Sequence, residues 1–307
     1  DSHRMSMVEG QPNRLCYMGS VLRTHSEVAG GSRSPIQIGA ELFGHEGLES
    51  DYEVIKLMLE TLSVAGARSV LLDLGHVGVL RGLIAKIGLT DAEQAVYLDM
   101  LARKSLPEIS HWIKQSDFDG ASSELLSCLP NLHGGVEILE TATQQLNKAG
   151  DNVLAAIDYL QQLITRLQKD YPELAINIDL AEMRGYTYHT GIVYSAYAAG
   201  SPREVARGGR YDGIGEYFGN ARPATGFTSN LRTLISFSED SVVSETKGIL
   251  APAIDDAGLE QTVKTLRAQG EIVVRQLVPL TQLSAEAQGC DRVLEQQSGE
   301  WHIVSAG

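Results

Sequence analysis

The spacing of apolar residues changes character several times along the chain. Between Arg14 and Gly44 apolar and polar positions alternate in short runs. A Gly/Ser-rich break, Ala29-Gly30-Gly31-Ser32-Arg33-Ser34, interrupts them, and the pattern predicts two strands joined by a loop. Tyr52, Ile55, Leu59 and Leu62 then recur at helical spacing over residues 49–65, with Gly66 as the stop. Residues 69–75 form a short apolar run, read as a buried strand. From Val77 to about Glu173 the period is 3.6 almost throughout and leucine dominates. Residues 91–102, 136–148 and 153–169 predict amphipathic helices. Strand texture returns at 176–180, 191–198, 204–206 and 224–227, and 229–237 predicts a helix with Ser229 or Asn230 near its cap. After a polar linker over 238–247, the segment reads strand (249–251), helix (259–268), strand (272–274) and two further short strands.

This order predicts an α+β protein. An antiparallel sheet flanked by helices is built from residues 1–76 and 174–238, a helical insertion occupies 77–173, and a small C-terminal α/β domain occupies 248–307.

Composition narrows the function. The chain has 307 residues, 43% of them hydrophobic and 21% charged, as in ordinary globular domains. Its 25 Lys+Arg against 39 Asp+Glu give a net charge of −14, which disfavours a purely electrostatic nucleic-acid binder while leaving a local basic groove open. No apolar run approaches the roughly 20 residues needed to span a bilayer, and the N-terminus lacks a signal-peptide pattern. With three scattered cysteines, Cys16, Cys128 and Cys290, and no CxxC, the chain reads as cytoplasmic with reduced thiols. The eight histidines form no HxH or HxxxH pair and there is no GxSxG, so neither a metal, a cofactor nor an elbow serine is expected. Asp1-Ser2-His3-Arg4-Met5 does not resemble a natural start, so residues are expected to precede it.

Three stretches carry chemistry. On the strand Pro35-Ile36-Gln37-Ile38-Gly39-Ala40-Glu41-Leu42-Phe43-Gly44, alternation puts Ile36, Ile38, Ala40 and Leu42 on one face and Gln37, Gly39, Glu41 and Phe43 on the other. Gln37 and Glu41 stand roughly 13 Å apart with a glycine between them. Either a small polar molecule lies on the open floor over Gly39, or the face is merely solvated with a bulge there. In Glu182-Met183-Arg184-Gly185-Tyr186-Thr187-Tyr188-His189-Thr190-Gly191, an arginine beside tyrosines and a histidine suits a ligand flat at one end and carboxylate at the other; a hairpin with exposed tyrosines is the alternative. In Arg207-Gly208-Gly209-Arg210-Tyr211-Asp212-Gly213 the glycines suit either a phosphate cradle or a simple turn, without the spacing of a dinucleotide fingerprint or P-loop.

In this order, with helices between the first two, these stretches resemble the catalytic fold of class II aminoacyl-tRNA synthetases of the histidyl type. Residues 15–23 resemble the first strand of that family's motif 2, with Arg23 in the place of its arginine. Gln37 and Glu41 match its Q-x-x-x-E, residues 184–189 its R-G-x-D-Y-Y, and 226–234 its motif 3. The resemblance implies histidine binding by Arg23, Gln37, Glu41, Arg184, Tyr188 and His189, with Glu41 toward the imidazole and the arginines and Gln37 toward the carboxylate. It also implies dimerisation, with motif 1 lying before residue 1.

The departures from that family change the expectation. His25 stands where motif 2 has glutamate, the loop carries the single Arg33, and Thr233 stands where motif 3 has its arginine, with Arg232 one place early. A helix turns about 100° per residue, so Arg232 cannot point where position 233 points. The set is similar to the family of ATP phosphoribosyltransferase regulatory subunits, synthetase-like proteins of histidine biosynthesis. That resemblance implies a non-catalytic partner that activates the short-form catalytic subunit and binds L-histidine for feedback inhibition. A histidyl-tRNA synthetase is the alternative.

Overall fold

The first predicted strand pair is an antiparallel hairpin of β1 (Asn13–Ser20) and β2 (Ile36–Phe43), in which Tyr17 stands opposite Gly39. The structure, a computed structural model, describes residues 11–24, 32–182, 186–214, 221–238 and 247–306. It divides into two units, Asp1–Ser238 and Glu239–Gly307. In the first unit the hairpin is followed by α1 (Leu48–Val64), β3 (Leu71–His76), α2 (Val77–Ile87), α3 (Asp91–Ala102), α4 (Leu106–Gln115) and α5 (Gly120–Cys128). Then come β4 (His133–Gly134), α6 (Ile138–Gln145), α7 (Asp151–Asp170), β5 (Ala175–Asp179), β6 (Ile192–Tyr197), β7 (Glu204–Arg210), β8 (Ala224–Asn230) and α8 (Leu231–Ile235).

The strands form one sheet in the order β1-β2-β8-β7-β6-β3-β5-β4. Its described pairs are antiparallel except β3 with β5. A parallel pair needs a crossover connection. Helices α2 to α7, with the short β4, supply it, so the leucine-rich segment returns the chain to the sheet edge. Leu160, Leu163 and Leu167 of α7 share one apolar cluster with Leu72 and Leu74 of β3 and with Ala40 and Leu42 of β2. Local signals agree with these boundaries. The Thr90 hydroxyl and the Glu93 carboxylate form a capping box at the start of α3, and Gly88 ends α2 with φ 76°.

The helix expected from residue 229 begins at Leu231, because β8 stays paired through Asn230. The Ser229 hydroxyl donates to the Val205 carbonyl at 2.5 Å, and the Asn230 side chain caps α8 by accepting from the Arg232 N–H at 3.0 Å.

The second unit is a four-stranded sheet, β10-β9-β11-β12, made of β9 (Gly248–Ala251), β10 (Val273–Arg275), β11 (Cys290–Gln297) and β12 (Glu300–Ser305). Helix α9 (Ala257–Ala268) packs Leu259 and Val263 on Ile249 and Ala251. Its Asp256 cap accepts from the Leu259 N–H at 2.7 Å and from Trp301 Nε1 at 2.9 Å. Cys16, Cys128 and Cys290 are free thiols. No described helix is long and apolar enough to cross a membrane.

Candidate functional site

Alternation along β2 gives the sheet two chemically different faces. Ala40 and Leu42 are buried among the helices, which leaves Gln37, Gly39 and Glu41 on the opposite face. Sheet register then assembles two cross-strand rows. One contains Glu41, Gly226, Gly209, Val193 and Gly75. The next contains Tyr17, Gly39, Thr228, Arg207, Ser195 and Asp73. Three glycines in the first row sink the sheet into a trough, and a cavity of about 460 Å³ lies over both rows. Gln37, Glu41, Tyr188 and His189 all line it, together with Tyr17, Tyr211, Arg207 and Glu182.

The missing Cβ atoms on this floor make room for neighbouring side chains. A Cβ on Gly226 would collide with the Glu41 carboxylate, and one on Gly209 with the His189 ring. The floor over Gly39 is not open: the Tyr17 ring lies across it, and a Cβ there would meet both the phenol and the Phe227 carbonyl. The polar group expected between amide and carboxylate is thus the chain's own hydroxyl. Tyr17 Oη accepts from Gln37 Nε2 at 3.2 Å. Gly208 and Gly209 likewise form no phosphate cradle. They lie within β7, and the Tyr194 and His189 rings fill the space beside them.

Glu41 is the chemical centre of the cavity. The Tyr211 hydroxyl donates to its Oε2. Burial raises the Glu41 carboxyl above the ordinary range, and the neighbouring hydroxyls of Tyr211 and Tyr17 draw it part of the way back. Tyr188 stacks on Tyr211 with ring centres 5.1 Å apart at 25°, and meets His189 edge-on at 5.2 Å. A carboxylate beside parallel aromatic rings suits a flat ligand carrying an N–H donor.

Behind the sheet, Arg210 holds this arrangement. Alternation turns Tyr211 toward the cavity and Arg210 into the core. There its guanidinium bonds Asp51, Asp212 and Ser50 Oγ at 2.7–3.1 Å. On α2, Arg81 donates to the Tyr186 carbonyl at 2.5 Å and lies over its ring, fixing the segment that leads to Tyr188.

Arg23 lies outside this cavity. It lines a second one of about 250 Å³, together with Arg203, Arg207 and Thr233, and Gln37 belongs to both. Thr233 faces that second cavity, whereas Arg232 is exposed and does not line it. Arg184 and His25 lie outside the described residues. Sequence reasoning named neither Tyr17 nor Tyr211 as a ligand-site residue. The alternation of residues 14–20 opposite the glycine of the next strand carried the signal for Tyr17.

Residues 1–234 match the histidyl-tRNA synthetase family model, and residues 246–304 match that of the ATP phosphoribosyltransferase subunit HisZ C-terminal domain. A relative from Thioalkalivibrio sulfidiphilus named ATP phosphoribosyltransferase regulatory subunit is 46% identical over 305 residues, covering 99% of this chain and 76% of that protein. Among solved structures, an ATP phosphoribosyltransferase regulatory subunit/histidyl-tRNA synthetase from Bacillus halodurans superposes with TM-score 0.74 at 24% identity, covering 92% of this chain and 73% of the other. The HisG:HisZ ATP phosphoribosyl transferase complex from Thermotoga maritima contains a chain with TM-score 0.59 at 21% identity, covering 75% of this chain and 77% of that one.

Proposed function

We propose, from the premise that the chain belongs to the family of ATP phosphoribosyltransferase regulatory subunits, that its 460 Å³ cavity holds free L-histidine and that occupation of the cavity controls a catalytic partner. The observation that carries this reading is the convergence of Gln37, Glu41, Tyr188 and His189, chosen from sequence, on one cavity lined by a carboxylate and stacked rings. The Glu41 carboxylate accepts the imidazole N–H, while Gln37 and Arg184 address the carboxylate end and Arg23 closes the approach from the neighbouring cavity.

The chain performs no adenylation of its own in this reading. A phosphate-clamping guanidinium stabilises developing charge in such chemistry, and at the motif 3 position the second cavity presents Thr233, its arginines Arg23, Arg203 and Arg207 coming from other segments. A protein without chemistry regulates through a difference in its contacts with two states of a partner. The partner is the short-form catalytic subunit, met in the cytoplasm by a self-associated form of this chain. The HisG:HisZ complex from Thermotoga maritima, which contains a chain of the same fold, supports association with a partner subunit.

The test is calorimetry with L-histidine on the parent protein and on Glu41→Ala, followed by phosphoribosyl transfer assays of the reconstituted complex. Loss of one charge-assisted hydrogen bond costs about 1.5–3 kcal/mol, so affinity falls at least tenfold while stimulation of the partner persists. Unaltered affinity removes Glu41 from the site. The match of residues 1–234 to histidyl-tRNA synthetases keeps a charging enzyme as the second reading. Histidine-dependent exchange of labelled pyrophosphate into ATP would establish that reading instead.

A further inference from the structure

We infer that Arg207 binds the ligand's carboxylate from the place where the two cavities meet, so that the larger cavity selects for a free carboxylate. This rests on the reading that the larger cavity holds L-histidine.

The lining residues locate the junction. Among the described residues only Gln37, Arg207 and Thr228 line both cavities. Register places Arg207 of β7 between Thr228 of β8 and Ser195 of β6, and it alone of the three junction residues carries a charge. The Glu41 carboxylate lies over Gly226, in the space a Cβ would fill. Gly226 pairs with Gly209, two residues along β7 from Arg207. One strand spacing and two residues therefore separate Gly226 from Arg207, roughly 8 Å. An extended small amino acid is of comparable length. A ligand whose ring N–H meets Glu41 brings its carboxylate to the arginine.

A β-bulge fixes the guanidinium there. Ser195 pairs with Arg207 and Ala196 with Ala206, but Tyr197 pairs with Glu204, so Val205 is an extra residue on β7. Val205 and Ala206, adjacent in sequence, are both buried at 3% exposure. In unbroken alternation Glu204, three residues from Arg207, would face away from it. The bulge returns Glu204 to the cavity face. Its Oε1 accepts from Arg207 Nη1 at 3.1 Å, and its Oε2 accepts from the Ser195 hydroxyl at 3.1 Å. With both oxygens held, Glu204 orients the arginine. A guanidinium is a planar fork that matches a carboxylate with two parallel N–H···O bonds, which a point charge does not.

The separating comparison is L-histidine against histamine, which keeps the imidazole and the ammonium and lacks only the carboxylate. Calorimetry of the full chain is expected to show the parent binding L-histidine more tightly. The Arg207 side chain is 45% exposed, so Arg207→Met should keep the parent's thermal transition. In that variant L-histidine affinity should fall tenfold or more, with histamine affinity changed less than threefold. Arg207→Lys, which keeps the charge without the fork, should give an intermediate ratio. A parent-like ratio in both variants overturns the inference. So does an equal loss for both ligands, which makes Arg207 a structural residue. A parent that binds neither ligand instead overturns the reading of the cavity.

Discussion

Arg210 and Asp51 form a two-pronged ion pair inside the first unit, with Nε to Oδ2 and Nη2 to Oδ1 both at 3.0 Å and Asp51 wholly shielded from solvent. The Tyr159 hydroxyl of α7 also donates to Asp51. One clamp therefore ties the end of β7, the start of α1 and the crossover helix, immediately behind the tyrosine that bonds Glu41.

Breaking that clamp from one side leaves Arg210 with Asp212 as its remaining counter-charge, at 3.1 Å. Asp51→Ala should cost about 2–4 kcal/mol in denaturant unfolding, short of the loss for a wholly unpaired buried charge. A loss below 1 kcal/mol would mean that water reaches the guanidinium.

Glu41 is expected to trade stability for binding. Burial raises its folded-state pKa, so its contribution is favourable below the ordinary carboxylate value and is lost as pH rises through the folded value. At pH 7 the charged group is therefore a net burden on the unliganded protein. Glu41→Gln should raise the melting temperature at pH 7, with the gain shrinking toward pH 4, while histidine affinity falls. A lower melting temperature at pH 7 contradicts this.

His76 supplies a second pH-dependent contribution, of opposite sign. Burial, reinforced by the charge of Arg210, lowers its pKa to about 4, and its Nδ1 accepts from the Gly78 N–H at 3.1 Å to cap α2. A depressed histidine stabilises the fold above its unfolded value of about 6.5 and loses that contribution as pH falls toward 4, on the order of 3 kcal/mol in all. His76→Asn keeps a capping acceptor but does not titrate. Urea midpoints at pH 7, 5.5 and 4.5 should fall more steeply for the parent than for this variant.

Arg184→Ala tests feedback separately from activation. Stimulation of phosphoribosyl transfer should persist, and the histidine inhibition curve should move up about tenfold, the equivalent of 1.4 kcal/mol. Linkage requires the partner's active state to weaken histidine binding by the same factor that histidine weakens that state. If the variant complex stays fully sensitive, histidine binding to the isolated variant separates a site on the partner from a structural role for Arg184.

Removing residues 77–173 should leave no cooperatively folding remainder. Leu160, Leu163 and Leu167 belong to the same apolar cluster as the sheet, and the deleted segment carries the crossover that makes β3 and β5 parallel. A truncated chain with a sharp thermal transition and intact histidine binding would disprove this.

The sequence alone determined what local physics controls. Period-2 alternation at Ile36–Phe43 assigned Gln37 and Glu41 to one face and Ala40 and Leu42 to the other, because successive strand residues point oppositely whatever the rest of the chain does. Leucine spacing, and the cap expected at Ser229 or Asn230, marked helices for the same reason. Tertiary structure decided what crosses between strands. Only the register of β1 on β2 lays Tyr17 over Gly39, and only the order β2-β8-β7 brings Tyr211 to Glu41, 170 residues away along the chain. An isolated glycine reads as a gap, because the sequence does not state which neighbour fills the space its missing Cβ leaves. That choice belongs to strand pairing between distant segments, which periodicity does not encode.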